Sequence, residues 1–235
     1  EETLIAPMTA VLRAAGLAVV DLPTARQAGA DGSMACAVVL PYPVEDAAGA
    51  AAAGDMLDQL APDLMFSTER VGRNVNGIYY NMRGRDYGMG RARVDLLFDQ
   101  ALARGIPVVA VGDGGNEIGM GLVADAVRAS VPYGAPGDCP CGGGIGAVSR
   151  ADVLVTAAVS NWGCTAICAA MALRAGDARL VHGPAAEARL LEVMVSAGLI
   201  NSADGIIDSH VDGIRDTTHI ALAEMAEAIV RRALI

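Results

Sequence analysis

Two polar stretches hold most of the residues able to do acid–base or electrophilic chemistry. The first runs from Ser67 to Asp86 and places four arginines, three asparagines and two tyrosines within 20 positions. Arginine forks suit carboxylates and phosphates. Arg70, Arg73 and Arg83 are therefore candidate clamps for a small anionic ligand, with Asn74, Tyr80 and Asn81 as neutral partners. Glu69, beside Arg70, is either a base or half of an ion pair. A solvated connection with surface arginines is the competing reading. Against it, paired tyrosines and asparagines are costly to order unless they bond something.

The second stretch is Gly112-Asp113-Gly114-Gly115-Asn116-Glu117-Ile118-Gly119-Met120-Gly121. Glycines let a ligand approach the backbone, and a following helix would aim the Gly114 and Gly115 amides at an anion or oxyanion. The spacing is not Gly-x-Gly-x-x-Gly, because Glu117 stands at the last place, and it lacks the alternating carboxylates of an EF-hand. Asp113 and Glu117 could act as acid and base, hold a divalent cation such as Mg²⁺ or Mn²⁺, or cap a helix. Asn116 as N-cap with Asp113 as turn former is the purely structural alternative. A third loop, Ser160-Asn161-Trp162-Gly163, offers Ser160 and Asn161 either to a ligand or as helix caps.

Five cysteines and three histidines complete the reactive set. Cys139-Pro140-Cys141 and the pair Cys164 and Cys168 do not match a zinc ribbon. Cys164 sits where a helix N-terminus would lower its pKa, but no histidine lies near it in sequence to complete a dyad. His182, His210 and His219 are scattered and read as structural.

The elements that must position these loops alternate. Helical periodicity marks Thr3 to Ala15, Glu45 to Leu60, Arg91 to Arg104, Asn116 to Val131, Gly163 to Arg174, Pro184 to Ala197 and Thr218 to Ala233. Strands are expected at Leu17 to Leu22, Cys36 to Leu40, Asp63 to Ser67, Val108 to Val111 and Asp152 to Val159, with a short one at Arg179 to His182. This alternation predicts an α/β fold: a mostly parallel sheet with helices on both faces and the site at the carboxyl ends of the strands. The loops after Phe66, Val111 and Val159 fall at those ends. Val131 to Arg150 is a long proline- and glycine-bearing connection, of the length that functional flaps have. Residues 1–235 read as one domain, with the alternative that its first strand is lacking, because the sequence opens directly on a helix.

Composition narrows the function. The net charge is −10, which disfavours nucleic acid and acidic membrane surfaces as partners. All 17 basic residues are arginine, so a lysine Schiff base and a P-loop are both excluded. No apolar run reaches the roughly 18 residues that span a bilayer. An odd, sparse cysteine set argues against a secreted disulfide scaffold, and the expected location is cytoplasmic or an organelle matrix.

The runs STERVGRNVNGIYYNMRGRD, VGDGGNEIGMG and SNWG, in that order, and the later Val211-Asp212-Gly213, resemble the D-glutamate cyclase family: the C-terminal catalytic-type domain of the mitochondrial enzyme and its bacterial relatives. The likeness covers most of the chain from Leu17 onward. It departs before Thr3, where the family's first strand and its glycine/proline-rich loop are not visible, and at Pro140 to Gly146. The resemblance implies a hydro-lyase that cyclises D-glutamate to 5-oxo-D-proline with loss of water, in the mitochondrial matrix in eukaryotic relatives. Ring closure supplies proximity and needs no organic cofactor. Three tasks remain: deprotonating the ammonium, stabilising an oxyanion and protonating the departing hydroxyl. Glu69, Asp113 and Glu117 are the candidate acid and base, and a divalent ion on Asp113 and Glu117 would act as Lewis acid instead. Rival readings are a non-catalytic binding domain for an anionic metabolite and a lactam or amide hydrolase.

Overall fold

The computed structural model describes residues 1–201 and 205–235. In chain order the elements are α1 (Ile5–Ala14), β1 (Ala18–Val19), α2 (Leu22–Asp31), β2 (Cys36–Ala37), α3 (Asp46–Leu60), β3 (Met65–Thr68), α4 (Val94–Ala103), β4 (Val108–Gly112), α5 (Ala124–Ser130), β5 (Val153–Thr156), α6 (Ser160–Ala175), α7 (Pro184–Ser196) and α8 (Asp216–Ala233). The fold is α/β, with parallel strands flanked by helices. The strands form one three-stranded and one two-stranded sheet rather than the single sheet expected. Residues group into two compact units, Glu1 with Tyr42–Cys164, and Glu2–Pro41 with Thr165–Ile235. Among the described residues no helix is long and apolar enough to cross a membrane.

The first unit is built on β3, β4 and β5, in that order and all parallel. Met65 pairs with Val108 and Thr68 with Val111, while Val109 pairs with Val153 and Gly112 with Thr156. The central strand β4 is buried at Val108, Ala110 and Val111. Successive side chains point to opposite faces. Val108 and Ala110 join Leu57 of α3 and Leu97, Phe98 and Ala101 of α4 in one apolar core. Each large side chain buried there contributes about 1.5–3 kcal/mol. On the alternate face Gly163 presses on Val111, where an added Cβ would stand 2.7 Å from the valine Cγ1. Because all three strands run the same way, their carboxyl ends share one edge. Glu69 follows β3 there, Asp113 follows β4, and Ser160 follows β5 after a short link.

In the second unit β1 pairs with β2 in parallel, and α7 packs against α1 and α8. Arg189 of α7 donates to the Ala14 carbonyl at 2.7 Å, closing the end of α1.

Several expectations need correction: the strand expected at Cys36 to Leu40 ends at Ala37, that at Asp152 to Val159 covers only Val153–Thr156, and the helix expected from Arg91 starts at Val94. Leu17 to Leu22 is not one strand: β1 is only Ala18–Val19, and Asp21 caps α2 by accepting from the Thr24 amide at 2.9 Å. Asp-Leu-Pro-Thr is an N-cap followed by a first-turn proline, and that local signal outweighs the apolar run. Asn116 to Val131 is not one helix either. Gly115 and Gly119 hold φ of 106° and 99°, in the left-handed range that breaks a helix, so a 3-10 turn at Gly121–Val123 and then α5 begin only beyond them. The helix expected from Gly163 starts at Ser160. The short strand expected near Arg179 is a 3-10 turn, Ala178–Leu180, capped by Asp177.

Candidate active site

The shared strand edge brings two carboxylates together. Glu69 extends the β3 ladder by donating its amide to the Val111 carbonyl at 3.2 Å. It does so with φ of 57°, although it is not glycine. A left-handed backbone costs a residue with a Cβ roughly 1–2 kcal/mol, and such strain persists where the surroundings impose it. The twist sets the exposed Glu69 side chain beside Asp113, with carboxylate oxygens within 4.8 Å of each other. Asp113 is half-buried. Its Oδ2 accepts from the Ser160 amide at 2.8 Å and the Ser160 hydroxyl at 3.1 Å, so the first residue of α6 fixes the carboxylate. Ser160 itself is fully buried.

Glu117 lies in the same turn and faces inward. Its Oε1 accepts from the amides of Asp113 at 3.1 Å and Gly114 at 2.7 Å, and its Oε2 accepts from Gly115 at 2.7 Å. Burial pushes the Glu117 carboxyl up, against the pull of those amides. The Gly114 and Gly115 amides, expected at a helix N-terminus, thus sit in a turn that is closed by the protein's own carboxylate. The carboxylate that meets Asp113 at the strand edge is Glu69.

The polar residues of the long loop divide into two groups. Arg70, Tyr79, Tyr87 and Arg91 line a cavity of about 120 Å³ next to Glu69. Arg70 donates to the Glu1 carboxylate at 2.9 Å and to the Ala92 carbonyl at 2.8 Å. Arg91 lies 4.1 Å over the Tyr87 ring. The second group spends its polar atoms on the scaffold. Arg73 bonds Asp95 at 2.7 Å and Asp99 at 2.6 Å, and buried Asp95 also accepts from the Tyr79 hydroxyl at 2.8 Å. Asn74 is buried, donates to the Gly144 carbonyl at 2.6 Å and accepts from the Asn76 and Ile78 amides. Asn116 donates to the Tyr80 carbonyl at 2.6 Å, tying the two loops together. Asn81 accepts from the Arg83 and Arg85 amides and shapes the turn on which Arg83 is exposed. Asn161 is the second residue of α6.

Sequence reasoning missed Arg91, Tyr79 and Tyr87 as cavity residues. The usable signal is the aromatic–arginine interleaving of Tyr87 and Arg91; helical periodicity instead places Arg91 at the start of a helix, which begins only at Val94. A larger cavity, about 510 Å³, lies elsewhere in the same unit, between Arg128, Arg150 and the glycines of the 142–146 segment. Among the described residues no carboxylate lines it, so it lacks a group to take the proton from an amine, whereas Glu69 lines the smaller cavity and Asp113 lies beside Glu69.

A sheet edge with two juxtaposed carboxylates beside an arginine-lined cavity holds the groups that acid–base chemistry on a small anion would need. Residues 8–226 match the family described as "D-glutamate cyclase-like, C-terminal", and the chain belongs to that family. Among curated proteins it is similar to the human "D-glutamate cyclase, mitochondrial", 31% identical over 194 residues, with 72% of this chain and 29% of the relative covered. The chain therefore spans less than a third of that relative's length.

Proposed function

We propose that this chain is a hydro-lyase that closes D-glutamate to 5-oxo-D-proline and water. The observation that carries the reading is the pairing of Glu69 and Asp113 at the strand edge, with Glu69 held in a strained backbone. Two like charges side by side repel, and a site that only bound an anion would be better served by donors alone. Proton transfer accounts for the pair. The family and the name of the human relative support the same reaction.

In this mechanism Glu69, the more exposed of the two, takes a proton from the substrate ammonium. The freed amine nitrogen attacks the γ-carboxyl carbon, and a C–N bond forms as the carbonyl π electrons move to oxygen. Asp113, oriented by Ser160, takes the second proton from the nitrogen and delivers it to the hydroxyl, which leaves as water as the C–O bond breaks and the carbonyl re-forms. Glu69 returns its proton to solvent, balancing the one that the γ-carboxyl group brings in. Arg70 and Arg91 face the substrate carboxylates from the cavity wall, where a planar fork binds both oxygens. The scaffold residues Arg73, Asn74, Tyr80 and Asn116 hold the loops in place, and Glu117 fixes the backbone of Asp113. Ring closure is intramolecular, so positioning replaces activation by a nucleotide. Glu69 and Asp113 could also contribute ligands to a divalent cation, which would polarise the γ-carboxyl group.

The test is incubation of the purified chain with D- and L-glutamate, after chelation and with added Mg²⁺ or Mn²⁺, followed by chiral detection of 5-oxoproline. Formation from the D enantiomer in any arm supports the reading, and the metal arms decide whether a cation takes part. No 5-oxoproline in any arm refutes it.

A further inference from the structure

Outside the strand edge the structure places two thiols in contact. Cys139 and Cys141 lie with their sulfurs 3.4 Å apart. They occupy the proline- and glycine-bearing connection between α5 and β5, and they differ in a useful way. Cys139 is 5% exposed, packed with Tyr80 and Ile145, whereas Cys141 is only partly buried. The Cys141 sulfur has hydrogen-bond donors around it. It accepts from the Asn74 amide at 3.2 Å and from the Gly143 backbone amide at 3.4 Å. The Tyr80 hydroxyl lies beside it, accepting from the Cys141 amide at 3.3 Å. Such donors stabilise a thiolate over a thiol. One cysteine is thus partly exposed with donors around its sulfur, and its neighbour is buried with its sulfur 3.4 Å away.

We propose that Cys141 and Cys139 form a reversible dithiol–disulfide site, with Cys141 as the attacking sulfur and Cys139 as the resolving one, and a small-molecule disulfide of the glutathione type as co-reactant. In the first step the Cys141 thiolate attacks one sulfur of the disulfide. A new S–S bond joins Cys141 to that half, and the other half leaves as a thiolate. In the second step Cys139 gives its proton to solvent and attacks the Cys141 sulfur, expelling the second half as a thiolate. The protein dithiol is oxidised and the small disulfide is reduced, one for one. Closing the bond moves the Cys141 sulfur toward Cys139 and away from Asn74, whose other polar atoms organise residues 76–78. The oxidation state therefore acts on the loop that carries Tyr79 and Tyr80.

The experiment uses the full chain and oxidised glutathione, with free thiols trapped by alkylation and each cysteine followed by peptide mass mapping. The wild-type peptide holding both cysteines should lose two hydrogens and retain no glutathione, at least tenfold faster than Cys36, Cys164 or Cys168 reacts. Cys139→Ser should stop with glutathione attached to Cys141, and Cys141→Ser should leave Cys139 reduced. The proposal is overturned if wild-type Cys141 keeps glutathione without closing, if Cys164 or Cys168 oxidises first, or if Cys141→Ser leaves Cys139 as reactive as before. The wild-type mapping decides the matter by itself if a serine variant fails to fold.

Discussion

Replacing Asp113 with asparagine separates its chemical duty from its structural one. The residue keeps its size and its place in the turn. It loses charge assistance in the two bonds from Ser160, at 2.8 and 3.1 Å. A hydrogen bond to a charged group exceeds a neutral one by about 1 kcal/mol, so the loss comes to about 1–2 kcal/mol. Against this stands the repulsion removed. Two unit charges within 4.8 Å repel by about 1 kcal/mol in water and about 3.5 kcal/mol at an effective dielectric constant of 20. The two contributions oppose each other and are of similar size, so Asp113→Asn should melt within a few degrees of the wild type. Turnover should behave differently. Loss of a positioned acid or base removes about 2.7 kcal/mol of barrier lowering, a hundredfold in rate. Melting by circular dichroism, paired with chiral 5-oxoproline detection, reads both quantities. An Asp113→Asn protein that melts normally and turns over at the wild-type rate would remove Asp113 from the mechanism. A protein that loses several kcal/mol would show the residue to be chiefly structural.

Glu69→Gly should abolish turnover while leaving stability unchanged or higher by up to about 1 kcal/mol, because glycine adopts the left-handed backbone without strain; a marked fall in melting temperature would contradict this. Glu117→Gln replaces one acceptor oxygen with a donor that faces a backbone amide. It should cost about 2–3 kcal/mol, or roughly 5–10 °C of melting temperature in a domain of this size, and an unchanged melting temperature would show that the amides do not depend on the carboxylate. In the Cys139→Ser variant, alkylation of Cys141 should have its midpoint near pH 6. Burial pushes this thiol up, but the Tyr80 hydroxyl, the Gly143 amide and the Asn74 and Asn76 side chains together bring it to about 6, while Tyr80 stays protonated because its own pKa is raised to about 12. The thiolate is the reactive form, so the rate should be flat above the midpoint and fall as pH drops below it; a midpoint near the ordinary thiol value would refute the assignment of the donors.

Much of the strand edge was legible because its signals are local. Asp113 and Glu69 follow short apolar runs, Val108 to Val111 and Leu64 to Phe66, with one and two residues between, and each run is too short for a helix. What was illegible depended on contacts made at a distance or against the local pattern. Arg73 reads as a ligand clamp until Asp95 and Asp99, 22 and 26 residues away, fill its fork. Glu117 reads as a second acid until its carboxylate turns back on the amides just before it. That fold-back is set by Gly115 and Gly119, whose positive φ the sequence permits but does not require. The helix α2 was hidden inside an apparent strand because Leu22 continues the apolar run, although Asp21 and Pro23 carried the opposite message. Arg91 reads as the first residue of a helix from its neighbours, whereas its aromatic partner Tyr87 sets it in the cavity wall.

The edge of the three-stranded sheet also makes activity a clock for folding. Asp113 and the Ser160 that orients it are 47 residues apart, and Glu69 follows a different strand, β3. None of these residues can find the others through local helix formation. The site exists only after β3, β4 and β5 have paired in register, and a slip of one residue would turn a side chain to the opposite face and displace it by about 3.3 Å. Parallel pairing between distant segments is a slow kind of event in folding. In a refolding experiment helical signal should therefore return first, and the ability to convert substrate should return only with the sheet.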